Sequence, residues 1–244
     1  MRVVIAHILT PLFYAAFGLI LVIFHPVQVL VYNTLGEMAH RKVVYFMNGL
    51  LSKTLWILGY RIRFNNAQQL PKDRPLIFVA NHNSLHDIPM LYWNLRSYHP
   101  IFVSKLSLAK SIPSVSFNLR KSGAALIDRS DRMQSMNEIM RLGQLIHDRC
   151  FSAVIFPEGT RKGPALRKFK PGGISALLRK APDALIVPVA IAGTRKINPS
   201  GAYPLNIFLN LEWTVLNPVE HKGKDLEILM DEVRNAIAQH LGLS

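Results

Sequence analysis

Residues 3–36 carry no formally charged side chain, and residues 3–24 are almost entirely apolar. A helix needs about 20 such residues to cross a hydrocarbon layer, so this run commits the N-terminus to a membrane and whatever follows to folding beside one. A secretory signal peptide would want several leading basic residues, a shorter apolar core and a small-x-small cleavage site; here only Arg2 precedes the run. His25 and Pro26 interrupt it. Proline removes a helical N–H and crowds the preceding turn, so the expectation is a helix, a bend and a second apolar helix over residues 27–35, arranged as a hairpin or as a segment that dips in and returns.

Residues 41–63 mix apolar side chains such as Val44, Phe46, Leu51 and Leu58 with Arg41, Lys42, Lys53, Arg61 and Arg63. That makeup suits an interfacial helix or a helix packed on a soluble core, and Trp56 and Tyr60 suit the headgroup layer. Arg2 on one side and Arg41 with Lys42 on the other are too symmetrical to set an orientation by charge.

The bulk chemistry agrees. Half of the 244 residues are apolar and only 18% are charged, where a soluble domain carries about a quarter. Lys and Arg number 29 against 15 Asp and Glu, a formal +14, which draws the molecule to polyanionic surfaces. Nucleic acid and anionic lipid both fit that charge; the apolar N-terminus selects lipid and sets nucleic acid aside. A single cysteine, Cys150, excludes an intrachain disulfide and suits a reducing compartment, and no Cys/His cluster has the spacing of a structural metal site. Cys150 reads as a core residue. The length supports one sizeable core plus an appendage: membrane-associated helices over 1–60 and a catalytic α/β domain over 61–244.

Past Pro71 short apolar runs alternate with helical periods, the pattern of strands and helices around a buried sheet. Candidate strands are 76–80, 101–104, 124–127, 153–156, 185–191 and 207–216. Met136, Ile139, Met140, Gly143 and Ile146 recur at helical spacing, as do Leu226, Leu229, Val233 and Ile237 after an N-cap at Asp225; both stripes read as core faces. Pro188, inside an apolar run, points to a strand edge or bulge.

Asn81-His82-Asn83-Ser84-Leu85-His86-Asp87 follows directly on the run 76–80. If Ser84 caps the next helix, Asp87 lies in its first turn and reaches back to the His82 imidazole. A carboxylate on one ring nitrogen fixes the tautomer and leaves the other as a general base. This is the base-and-orienter part of a hydrolase triad with no serine of its own, because no G-x-S-x-G elbow occurs; the nucleophile would then be a substrate hydroxyl. A structural His-Asp pair has the same spacing. His82 and His86 are four apart, but Asn83 stands where a zinc-protease helix needs Glu, so no metal is expected.

Phe156-Pro157-Glu158-Gly159-Thr160-Arg161 follows another apolar run and leads into Lys162, Arg167, Lys168 and Lys170. Gly159 lets backbone approach a ligand, Thr160 offers a hydroxyl and Arg161 a bidentate grip on phosphate. The alternative is a solvated basic loop. Neither a Walker loop nor G-x-G-x-x-G is present, so no nucleotide cofactor is expected.

Taken in order, N-H-x-x-x-x-D at 81–87, G-x-x-x-I-D-R at 123–129, F-P-E-G-T-R at 156–161 and V-P-V at 187–189 resemble the four blocks of the 1-acylglycerol-3-phosphate (lysophosphatidic acid) acyltransferase family of glycerolipid acyltransferases. The resemblance covers residues 61–216. It implies a mixed sheet flanked by helices with an N-terminal helical membrane anchor. It further implies that His82 is the base held by Asp87, and that Gly123, Arg129, Glu158, Gly159, Thr160 and Arg161, with Lys105 nearby, bind a phosphate-bearing acceptor, Glu158 by orienting its neighbours or a hydroxyl. Lys162 is a departure, since relatives often carry Ser there.

The activity implied is transfer of a fatty acyl group from acyl-ACP or acyl-CoA to lysophosphatidic acid, at a bacterial inner membrane with the catalytic part facing the cytoplasm. Glycerol 3-phosphate, another lysophospholipid or a lyso-aminolipid are alternative acceptors. A noncatalytic adaptor that binds anionic lipid is the alternative of a different class.

Overall fold

The structure is a computed structural model that describes residues 1–161, 166–198 and 201–243. Among these residues seven strands form one sheet in the order β1-β7-β6-β2-β5-β3-β4. The strands are β1 (Arg61–Asn65), β2 (Leu76–Ala80), β3 (Pro100–Lys105), β4 (Ala125–Ile127), β5 (Ser152–Ile155), β6 (Leu185–Ala192) and β7 (Asn210–Val215). β2, β3, β4, β5 and β6 run parallel, β7 is antiparallel to β6, and β1 pairs parallel with β7. The expected mixed α/β sheet is what the chain forms.

Alternation along the strands divides the core in two. Leu76, Phe78 and Ala80 of β2 join Val187 and Val189 on one face; Ile77 and Val79 join Ile186 and Ala190 on the other. The second face is covered by α4 (Arg132–Arg149), α5 (Gly172–Leu178) and α6 (Leu226–His240). Their stripes are core faces as expected, with Ile139 and Ile146 of α4 and Val233 and Ile237 of α6 buried. Asp225 caps α6 by accepting from the amides of Glu227 and Ile228. The first face is covered by α2 (Asp87–Asn94) and by the N-terminal helix α1 (Arg2–Thr54); α3 (Val115–Lys121) lies beside α1.

The bend in α1 falls at Gly36, not at Pro26. Both Pro11 and Pro26 lie inside continuous helix, whereas Gly36 takes φ 79 and ψ −174. Proline has a helix-compatible φ and forfeits one hydrogen bond, but a reversal needs positive φ, which glycine supplies without steric cost. The two arms then pack on each other: Gln28 bonds His40 and Met47, and Phe24 meets Phe46. Glu37, just past the turn, bridges Arg41 and Arg149 and so ties the turn to the end of α4.

The first arm is fastened along its length to the sheet domain. Thr10 accepts from the Leu205 amide, Ser114 donates to the Leu21 carbonyl, and His25 accepts from the Ser114 amide. Its inner side buries Phe13 completely, while Val4, Ile8, Leu12, Leu19, Val22, Ile23 and Leu30 stay more than half exposed on the outside. The helix is long and apolar enough to cross a membrane.

Four local expectations change. Residues 61–65 are strand β1 rather than the end of a helix, with Arg61 and Arg63 outward and Ile62 and Phe64 inward. Tyr60 is buried, its hydroxyl donating to the Asn206 carbonyl, although Trp56 is exposed. Cys150 is exposed because it ends α4 in the left-handed conformation, φ 51. Pro188 sits in an interior strand; its carbonyl faces β7 and accepts from Leu216, one residue past the end of β7, so its missing N–H falls at the last rung of that ladder.

Gly193 closes β6 at φ 82, and a Cβ there would collide with the Asn210 carbonyl. Gly193→Ala should cost roughly 1–3 kcal/mol from conformation alone, plus the collision, measured by denaturant unfolding. Gly18→Ala, in open helix, should cost nothing.

Candidate active site

Strands β2, β3, β4, β5 and β6 share one carboxyl edge, the place where open α/β sheets present ligand sites. β2 is buried along its whole length and ends at Ala80. The fully buried Asn81 then continues the ladder with its side chain, donating to the Ile191 carbonyl and accepting from the Ile191 amide. His82 is the first residue to leave the sheet.

The loop from His82 closes on Asp87, which is completely buried at the start of α2. One carboxylate oxygen, Oδ2, accepts from His82 Nδ1, the Asn83 amide and the Ser84 amide, each at 2.9 Å. Amides only donate, so this oxygen is an acceptor and Nδ1 carries the proton. Nε2 is left as the basic nitrogen. The ring stacks on Phe156 with centroids 4.0 Å apart and planes 17° from parallel. Ser84 does not cap α2: no side chain caps that helix, and Ser84 Oγ accepts from the His86 amide at 3.4 Å. Asp87 has taken over the loop amides that a cap would otherwise order.

Glu158 couples the second motif to the first. Its buried carboxylate accepts from the His82 amide at 2.9 Å and the Arg167 amide at 3.1 Å. Burial pushes its carboxyl above the usual range, with the two amides pulling the other way. Gly159 turns the loop at φ 68, its amide bonded to the Phe156 carbonyl, with open space before it. Thr160 is half-buried and Arg161 exposed, and the Arg161 charge is felt at His86.

Lys105 ends β3 and Arg129 follows β4, both exposed on the same edge. Between them Asp128 is held below the usual carboxylate range by hydrogen bonds from Ser130 and by the Lys105 charge. Gly123 lies apart from this group, before β4, at φ 81 with Leu145 packed where a Cβ would sit; its need for glycine is steric. Lys162 lies outside the described residues.

Three contributors carried no sequence signal of their own: the Asn81 clasp, the Phe156 stack, and Phe13 and Phe17 of α1, whose rings meet His86 edge-on. The first two stand at the heads of the motifs that were read for other residues.

A family model described as Acyltransferase matches residues 61–192, more than half of the chain. The chain belongs to the acyltransferase family. Among curated relatives of this family member, the chloroplastic 1-acyl-sn-glycerol-3-phosphate acyltransferase LPAT1 of Arabidopsis thaliana is 28% identical over 205 residues, covering 83% of this chain and 55% of the relative. The 1-acyl-sn-glycerol-3-phosphate acyltransferase of Chlamydomonas reinhardtii is 28% identical over 248 residues, covering 98% and 71%. The chain thus spans about half the length of the Arabidopsis relative. The crystal structure of the 1-acyl-sn-glycerophosphate acyltransferase PlsC from Thermotoga maritima shares the fold, with a TM-score of 0.80, 24% identity, and 100% and 99% coverage.

Glu158→Gln places an NH₂ against an amide donor in a buried site. It should destabilise the protein by about 1–3 kcal/mol, read by chemical denaturation; wild-type stability would contradict the strut.

Proposed function

We propose that this protein transfers a fatty acyl group from the thioester of acyl-ACP or acyl-CoA to the free hydroxyl of lysophosphatidic acid, giving phosphatidic acid. The observation that carries the reading is the 2.9 Å contact between His82 Nδ1 and Asp87 Oδ2 on a sheet edge that also presents Lys105, Arg129 and Arg161. Nε2, without a partner among the described residues, suits a hydroxyl whose proton it can take, and the exposed cations suit an anion. A phosphate-bearing alcohol supplies both.

In this account the acceptor phosphate sits on Arg161, with Arg129 and Lys105 adding charge, and its hydroxyl lies within hydrogen-bond reach of His82 Nε2. As the oxygen attacks the thioester carbonyl, Nε2 takes the hydroxyl proton, and Asp87 steadies the imidazolium. Collapse of the tetrahedral intermediate breaks the C–S bond, and the departing sulfur takes the proton from Nε2. One ester and one thiol result, with no covalent enzyme intermediate. The amides of His82, Asn83 and Ser84 are committed to Glu158 and Asp87, so the oxyanion draws its donors from elsewhere on the edge.

The apolar outer face of α1 is read as the membrane-seated surface, with residues 1–60 as the membrane-associated part and 61–244 as the catalytic part. The formal +14 charge favours an anionic leaflet. The catalytic edge faces the cytoplasm, where acyl thioesters are made, at a bacterial inner membrane.

His82→Ala should lower transfer by about 10²–10⁴-fold, measured as thiol release from acyl thioester in the presence of lysophosphatidic acid, with sedimentation on anionic vesicles unchanged. Glycerol 3-phosphate and other lysophospholipids should compete poorly in the same assay. Retained transfer in His82→Ala would overturn the mechanism.

A further inference from the structure

His86 is unused by the reaction just described, yet it is buried and directly precedes Asp87. Its ring meets Phe13 at 5.3 Å and 72°, and Phe17 at 5.8 Å and 86°, both edge-on geometries that aromatic pairs favour. Its Nδ1 has no hydrogen-bond partner among the described residues. Burial pushes its pKa down to about 4, so at neutral pH the ring acts by shape rather than charge.

The three hydrogen bonds to Asp87 Oδ2 all come from residues 82–84. They close the loop on itself without setting where it sits against its neighbours. The head of the loop is tied to its neighbours through Asn81 and the His82 amide, but at its other end Asp87 Oδ1 is buried without a partner among the described residues, so packing must restrain the His86–Asp87 end. Phe13 and Phe17 are well placed for that, because the arm bearing them is fastened to the domain at Thr10 on one side and at Leu21 and His25 on the other.

We propose that His86 is a positioning residue: clasped by Phe13 and Phe17, it holds the loop from which Asp87 orients the His82 imidazole, so that the seating of the apolar arm sets the dyad. This rests on the transfer reading above. It makes the membrane-facing helix part of the catalytic geometry as well as an attachment.

The test is steady-state transfer to lysophosphatidic acid by the full chain in vesicles. His86→Ala and Phe17→Ala should each lower kcat by about tenfold or more, because ångström-scale misplacement costs up to about 10²-fold, with the acceptor KM unchanged. The double variant should be no worse than the poorer single one. His86→Phe, which keeps a ring in the slot, should recover most of kcat. Phe24→Ala, which loosens the hairpin at Phe46 and not at His86, should leave kcat intact.

If His86→Ala does not fold, Phe17→Ala against Phe24→Ala carries the comparison. Wild-type kcat in Phe17→Ala, additive losses in the double variant, no rescue by His86→Phe, or an equal loss in Phe24→Ala would each overturn the proposal. If His82→Ala is inactive while these hold wild-type kcat, the positioning role alone fails; if His82→Ala stays active, the transfer reading fails first.

Discussion

Asp87 Oδ2 takes in three N–H groups at one buried point, and the rest of the site is arranged by that convergence. A buried carboxylate is tolerable only when it is hydrogen-bonded. Satisfying it curls residues 82–87 into a tight loop, and the same act fixes the tautomer of His82. The orientation of the His82 imidazole is therefore a by-product of solving the desolvation of an acid. Asn81 and Glu158 then join this loop to β6 and to the loop after β5, so that His82 is tied to the loop that carries Arg161.

The first arm of α1 meets two environments along one helix. Its inner side completes the hydrophobic layer over the sheet, and its outer side is apolar and uncovered. Thr10 and His25 of that arm are turned inward to hydrogen bonds with the domain. That distribution is what a helix needs when lipid lies on one side and protein on the other. The proposed acyl transfer to a lipid alcohol asks for the same arrangement, because its acceptor would approach from a membrane.

Much of this was legible in the residues. β2 could be bounded at residues 76–80 because a buried five-residue run of strand formers ends at a polar segment, and the two chemical motifs stand at the ends of parallel strands where such motifs act. β1 was not legible: Arg61 and Arg63 alternating with Ile62 and Phe64 reads equally as the basic end of a helix, and only pairing with β7, about 150 residues away, decides it. The bend of α1 was misplaced because Pro26 signals interruption more loudly than Gly36, although glycine alone accepts the required φ. The clasp of Phe13 and Phe17 on His86 spans some 70 residues and leaves no local pattern. Cys150 looked like core because an apolar run follows it, but its place as the left-handed residue just past α4 turns it outward.

The claim on which the account stands is that a lipid hydroxyl, activated by His82, attacks the thioester directly. Intact mass measurement of the protein after incubation with acyl thioester, without acceptor, tests it most directly. The account predicts the unmodified chain mass, with thiol appearing only once lysophosphatidic acid is added. A chain heavier by one acyl group that is discharged on adding acceptor would contradict it.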